Sequence, residues 1–151
     1  MIQRIQSIYL LLVVICLGLA FVFPFAHYTV ALETFTFDVF GLKINDENII
    51  KFPYYVSIAL SVGLSNFTIS KFKNRALQMK LGRFNYLIIL LTIVMSFVNV
   101  RTIEDVFNGS EVEESYATGL FLPVDALVFL FLANRAIKND EKLIKSIDRI
   151  R

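Results

Sequence analysis

Four long apolar runs, each close to the length of a membrane-spanning helix, constrain this chain more than any other feature. They cover residues 5–25, 53–72, 84–100 and 120–137. A helix needs about 20 residues to cross a hydrocarbon core of about 30 Å, because it rises about 1.5 Å per residue. A chain of 151 residues that is 56% hydrophobic cannot bury so much apolar surface in one soluble core. The sequence therefore predicts one membrane domain over 1–151, an all-α four-helix transmembrane bundle.

The first run could also be a cleaved signal peptide, because Arg4 precedes it and Gly18, Leu19 and Ala20 weakly match a cleavage site. Apolar residues continue beyond that site to Phe25. We therefore expect the run to be retained as the first span.

The charges of the loops predict the orientation of the bundle. The segment from Lys71 to Arg83, which joins the second and third runs, has five basic residues and no acid, and more Lys and Arg follow the fourth run. Such loops stay in the cytoplasm, whereas the other two loops are acidic. We expect both termini on the cytoplasmic side. The cations expected to anchor the chain or to bind anionic lipid headgroups are Lys71, Lys73, Arg75, Lys80, Arg83, Lys142, Lys145, Arg149 and Arg151.

The two outer loops show weak signs of β-structure. Residues 34–40, TFTFDVF, alternate with period two and place Phe35, Phe37 and Val39 on one face. The second loop contains a turn signal, Asn108-Gly109, before EVEESYATG. These patterns favour a small outer β-cap that joins the two loops.

The C-terminal tail, residues 138–151, has the pattern of a basic amphipathic helix. Leu143, Ile144, Ile147 and Ile150 share one helical face, and basic residues surround the other. Such a helix either lies on the inner membrane surface or continues the fourth span.

Three segments carry a family resemblance: MIQRIQSIYLLL at the start, FKNRALQMKLGRFN in the centre and LANRAIKNDEKLIKSIDRIR at the end. They resemble a bacterial family of short four-span membrane proteins, the domain of unknown function number 4293. The resemblance covers essentially the whole chain except the outer loops. It implies a multi-pass protein of the bacterial inner membrane, and it brings no catalytic residues, because no activity is assigned to the family.

Asp125 is the sharpest candidate for chemistry, because an acid inside a spanning helix usually faces protein or water. We expect Ser57, Ser61 and Ser96 at a similar depth. The residue is either a proton or cation coupling site or a hydrogen-bonded packing residue, and the second reading is favoured.

The second span has a small-residue pattern that is typical of close helix contact. Its members are Ser57, Ser61, Ser65, Ala59 and Gly63. This face packs either inside the bundle, which we favour, or against a partner protein.

The sequence gives little support for metal binding, cofactor binding, nucleic-acid binding or catalysis. His27 and Cys16 are single residues of their type, so we expect no metal site and no cofactor. The basic segments supply no stacking aromatics in a groove, so we expect no nucleic acid partner. We therefore predict no enzyme, but an accessory or scaffold subunit of a larger inner-membrane protein complex, for example in protein export or envelope assembly. The alternative is a small oligomeric transporter or ion-conducting protein that uses Asp125.

Overall fold

The computed structural model describes residues 2–30, 33–44, 47–51, 54–71, 74–106 and 112–148. Four helices dominate the fold: α1 Ile2–Leu19, α2 Tyr54–Ser70, α3 Arg75–Val106 and α4 Leu122–Asp148. Helix α1 packs against α2 and α4, and α3 packs against the same two helices. The four predicted helices are thus present and close into a ring.

Two of these helices are long and apolar enough to cross a bilayer. Within the segments Arg75–Ile103 and Thr118–Leu143, stretches of 18 residues reach mean hydropathies of 2.0 and 1.8. Ile5–Leu19 is a shorter apolar helix.

A five-stranded antiparallel sheet covers one end of the bundle. Its strands are β1 Ala26–Val30, β2 Glu33–Asp38, β3 Gly41–Ile44, β4 Glu47–Lys51 and β5 Val112–Tyr116. Their order is β4-β3-β2-β1-β5, so a strand from the second loop pairs with the first strand of the first loop. The predicted β-cap is confirmed, whereas the Asn108-Gly109 turn lies outside the described residues.

An aromatic cluster joins this sheet to α2. Phe37 and Val39 are fully buried, as their alternation predicts. The ring of Phe37 lies 5.6 Å from that of Phe25 and 5.9 Å from that of Tyr54, which begins α2. The sheet therefore rests on the end of the bundle rather than beside it.

The first helix ends earlier than its apolar run. Helix α1 stops at Leu19, six residues before the predicted end at Phe25. Pro24 disfavours helix at the residue before it. The sheet also takes up this segment, because Phe25 donates its backbone N–H to the Phe37 carbonyl over 2.7 Å. Apolar character alone therefore overestimated the length of the first helix.

The third and fourth helices are longer than predicted. Helix α3 already begins at Arg75, so most of the predicted basic loop is helical. Helix α4 runs without interruption to Asp148, so the tail continues the fourth helix and is not a separate surface helix. No Gly or Pro stands between residues 137 and 148 to break it.

Candidate functional site

A line of polar side chains, the polar seam, follows the interface between α2 and α3. On α3 four of its members recur every seven residues, which keeps them on one face of two helices that coil around each other. The seam contains Tyr54, Ser57, Ser61, Ser65 and Thr68 on α2, and Gln78, Asn85, Thr92, Ser96 and Asn99 on α3.

Interhelical hydrogen bonds connect the seam along its length. The Thr92 hydroxyl donates to Ser57 Oγ over 2.9 Å. The Asn85 amide donates to Ser65 Oγ over 2.9 Å and to the Ser61 carbonyl over 3.3 Å. Such bonds hold apolar helices together where no water competes for them.

At each end of the seam, a side chain donates a hydrogen bond to a backbone carbonyl of the facing helix. Near the sheet, the Tyr54 hydroxyl donates to the Met95 carbonyl over 3.1 Å and also contacts the Asn99 amide. At the opposite end, Gln78 Nε2 donates to the Thr68 carbonyl over 2.8 Å. The α2–α3 hairpin is therefore tied by side chains from end to end.

The small-residue face of α2 is only partly the predicted one. Ser61 and Ser65 are fully buried against α3, as the favoured internal packing requires. Ala59 and Gly63 instead face outward. A Cβ atom on Gly63 would meet nothing within 4 Å. The reason is helical geometry, since residues two apart point to nearly opposite sides of a helix.

Asp125 is exposed, which corrects the expectation of a buried acid. It lies in the first turn of α4, where its backbone N–H reaches the Phe121 carbonyl over 3.1 Å. Helix α4 packs mainly against α1 and α3, so of the three serines expected at the depth of Asp125, Ser96 belongs to a neighbouring helix, whereas Ser57 and Ser61 belong to α2. The seam therefore forms without it.

A second acid, Asp140, is the buried one, and the sequence analysis missed it. Its exposed fraction is 5%, and Arg75 of α3 covers it. The Arg75 guanidinium donates to the Asp140 carbonyl oxygen over 3.0 Å and lies 3.9 Å from its carboxylate. This contact holds the end of α4 against the start of α3.

A cleft of about 540 Å³, the basic cleft, opens between the same two helices. It is lined by Met79, Arg83, Phe131, Asn134, Arg135, Lys138 and Glu141. Helices α3 and α4 come close here, because a Cβ atom on Gly82 would fall 1.9 Å from Asn134 Oδ1. Three cations and one carboxylate give the cleft a net positive charge, suited to an anion. Only the register of α3 against α4 unites these residues, which their sequence positions do not reveal.

Among the other predicted anchoring cations, Lys71, Lys80 and Lys142 do not line the cleft. Lys71 lies 5.2 Å from the ring of Phe67, and Lys80 and Lys142 are exposed. Lys73, Arg149 and Arg151 are outside the described residues, as is the side chain of Lys145.

Among the described residues, neither the single histidine nor the single cysteine belongs to a group of metal ligands. His27 lies in β1, with Nδ1 3.4 Å from Thr36 Oγ1, and Cys16 is a free thiol in α1. Within the described segments, no three His, Cys, Asp or Glu side chains are grouped so as to hold a metal ion.

The comparisons with known proteins bear on the family alone. The model of a family described as a domain of unknown function, DUF4293, matches residues 2–150. No curated protein matches the chain.

Proposed function

The chain belongs to the DUF4293 family, and we propose that it is a four-span protein of the bacterial inner membrane that serves as a non-catalytic accessory or scaffold subunit of a larger membrane complex. The observation that carries this proposal is the outer sheet, which both outer loops build together on the end of the bundle. A sheet of this kind offers rigid strand edges to a partner protein.

Exposed apolar side chains on all four helices support four crossings. Large hydrophobic residues point outward on α1 and α2 as well as on the two longer helices. Helix α1 has 18 residues and α2 has 17, which correspond to about 27 and 26 Å. These lengths are at the lower end of what a bilayer core requires. Lipid is the solvent that suits such faces.

The two ends of the bundle carry opposite charge, which supports the proposed orientation. The end away from the sheet has exposed or cleft-lining cations on α3 and α4, including Lys80, Arg83, Lys138 and Lys142. The sheet carries Glu33, Asp38, Glu47, Glu113 and Glu114. Basic segments remain in the cytoplasm, so the sheet faces outward.

The edges of the sheet offer the docking surface. Among the described strands, β4 and β5 are outermost, so one side of each lacks a neighbouring strand. Ile49 of β4 is 52% exposed, and Tyr116 of β5 is 48% exposed. An edge strand with exposed apolar side chains can pair with an extended segment of another chain. We therefore place the partner on an extracytoplasmic part of the complex.

The polar seam also favours a scaffold over the transporter alternative. Several side chains of the seam form hydrogen bonds between α2 and α3, to side chains or to backbone carbonyls, which gives them a structural role. Asp125, the coupling residue of the alternative, is exposed at the start of α4.

The proposal is tested by gentle extraction of the tagged full-length protein from native membranes, followed by quantitative mass spectrometry. We expect one integral membrane partner complex at near-equal stoichiometry. Ile49→Lys should release this partner, because a charge on an edge strand opposes pairing. Thr34→Lys is the matched control, since it adds the same charge to an exposed position of the interior strand β2. A clean monomer under gentle conditions contradicts the proposal.

A further inference from the structure

The basic cleft holds three cations and one carboxylate, that of Glu141, so its net charge is positive. Two salt bridges outside the cleft join Lys43 to Asp38 and Arg75 to Asp140. Arg83, Arg135 and Lys138 take part in neither pair, and Arg83 only donates its Nε–H to the Met79 carbonyl of its own helix, over 3.3 Å. Cations drawn together in this way favour an anionic ligand.

On α4, the lining of the cleft changes from apolar to cationic towards the cytoplasmic end. The contacts of Arg75 with Asp140 and of Gly82 with Asn134 fix the register of α3 against α4. Phe131 then lies one turn deeper in the bundle than Arg135, or about 6 Å. Lys138 lies about 4.5 Å on the other side, towards the cytoplasmic end. On α4 the apolar ring therefore lies deeper in the bundle than the two cations, whereas on α3 the cation Arg83 lies deeper than Met79.

We propose that the basic cleft binds one anionic glycerophospholipid of the inner leaflet, an inference that rests on the proposed four-span orientation. Arg83, Arg135 and Lys138 hold the phosphate, and the guanidinium groups offer paired N–H donors to its oxygens. The Asn134 amide is a further donor within the cleft. Basic pockets between helices on the cytoplasmic side are suited to such headgroups.

The apolar part of the cleft favours a lipid over a soluble phosphate ester. Phe131 is 54% exposed and lines the cleft, so the cleft opens on the lipid-facing side of the bundle. A soluble ester would leave this ring uncovered, whereas an acyl chain covers it. The volume of about 540 Å³ lies within the usual range for small-molecule sites.

The test is native mass spectrometry of the full-length protein in mild detergent, with added phosphatidylglycerol or phosphatidylcholine. The wild type should retain one phosphatidylglycerol with clear preference over phosphatidylcholine. Arg83→Gln combined with Arg135→Gln should weaken this retention roughly 25-fold, at about fivefold per charge removed. The control combines Lys80→Gln with Lys142→Gln, which removes the same charge from exposed positions of the same helices outside the cleft. It should retain the lipid like the wild type.

Two outcomes overturn the proposal. Equal loss in the cleft variant and the control would mean diffuse attraction to the membrane surface, without a site. Displacement of the lipid by an equal concentration of glycerol 3-phosphate would assign the cleft to a soluble ester. Because the assay needs no partner protein, it separates this inference from the scaffold proposal. Absence of the chain from the membrane fraction would instead contradict the four-span proposal.

Discussion

The phenol hydroxyl of Tyr28 donates a hydrogen bond of 2.9 Å to the carbonyl oxygen of Val100, 72 residues further along the chain. Tyr28 belongs to β1, inside the sheet, and Val100 belongs to α3; both are buried. Together with the aromatic cluster around Tyr54, this bond attaches the sheet to both α2 and α3. The sheet and the bundle should therefore unfold together.

Tyr28→Phe removes this bond and keeps the ring. We expect the free energy of unfolding to fall by about 1 kcal/mol, the usual net value of a buried hydrogen bond. Titration of the purified protein with a denaturing detergent measures this loss. Tyr55→Phe is the control, because Tyr55 is 44% exposed and its ring contact with Phe40 remains. Equal effects of the two substitutions would mean that the bond adds no stability.

The polar seam predicts energetic coupling between Asn85 and Ser65. Asn85→Ala and Ser65→Ala should each destabilise the bundle, and the double variant should lose less than their sum. Their coupling energy should be about 0.6 kcal/mol, typical of hydrogen bonds between membrane helices. Asn66→Ala is the control for Asn85, since Asn66 is exposed and bonds only to Val62 of its own helix. Strictly additive losses would contradict a shared bond.

Two glycines should respond in opposite ways to alanine. A Cβ atom on Gly119 would fall 2.2 Å from the Phe23 carbonyl oxygen and 2.4 Å from that of Pro24. Because both are backbone atoms, Gly119→Ala should destabilise the protein by at least about 1–3 kcal/mol. Gly63→Ala should have no destabilising effect, since its Cβ would meet open space and alanine favours helix. Thermal melts of both variants in the same detergent would reveal the contrast, and equal melting temperatures would contradict the close approach.

Asp125→Asn tests the transporter alternative directly. The side chain is exposed in the first turn of α4, where a carboxylate stabilises the helix by no more than about 1 kcal/mol. We therefore expect unchanged expression, unchanged partner recovery and an unchanged growth phenotype. Loss of growth or of ion flux in a fully expressed variant would restore Asp125 as a coupling site.

The sequence predicted the helices and strands of this fold better than the contacts between them. Four apolar runs predicted the four helices, and the alternation around Phe37 predicted β-structure in the first outer loop. Helix ends were less predictable. Phe25 is apolar whether it belongs to a helix or to a sheet, and its backbone hydrogen bond to Phe37 places it with the sheet rather than in α1. The spacing of seven residues from Gln78 to Asn99 was a readable sign of the seam. Asp140 and the basic cleft could not be predicted, since burial and grouping there depend on how α3 lies against α4.

The position of β1 between β2 and β5 has a consequence for biogenesis. One neighbour of β1 follows it almost at once in the chain, whereas β5 is made only after α2 and α3. Ribosomes add about 5–20 residues per second, so one flank of β1 stays unpaired for several seconds after β1 is made. In the proposed orientation, completion of the sheet must then wait until the segment that contains β5 has been translocated. During that interval the nascent chain exposes an open strand, which a chaperone or an assembly partner on the outer side would meet first.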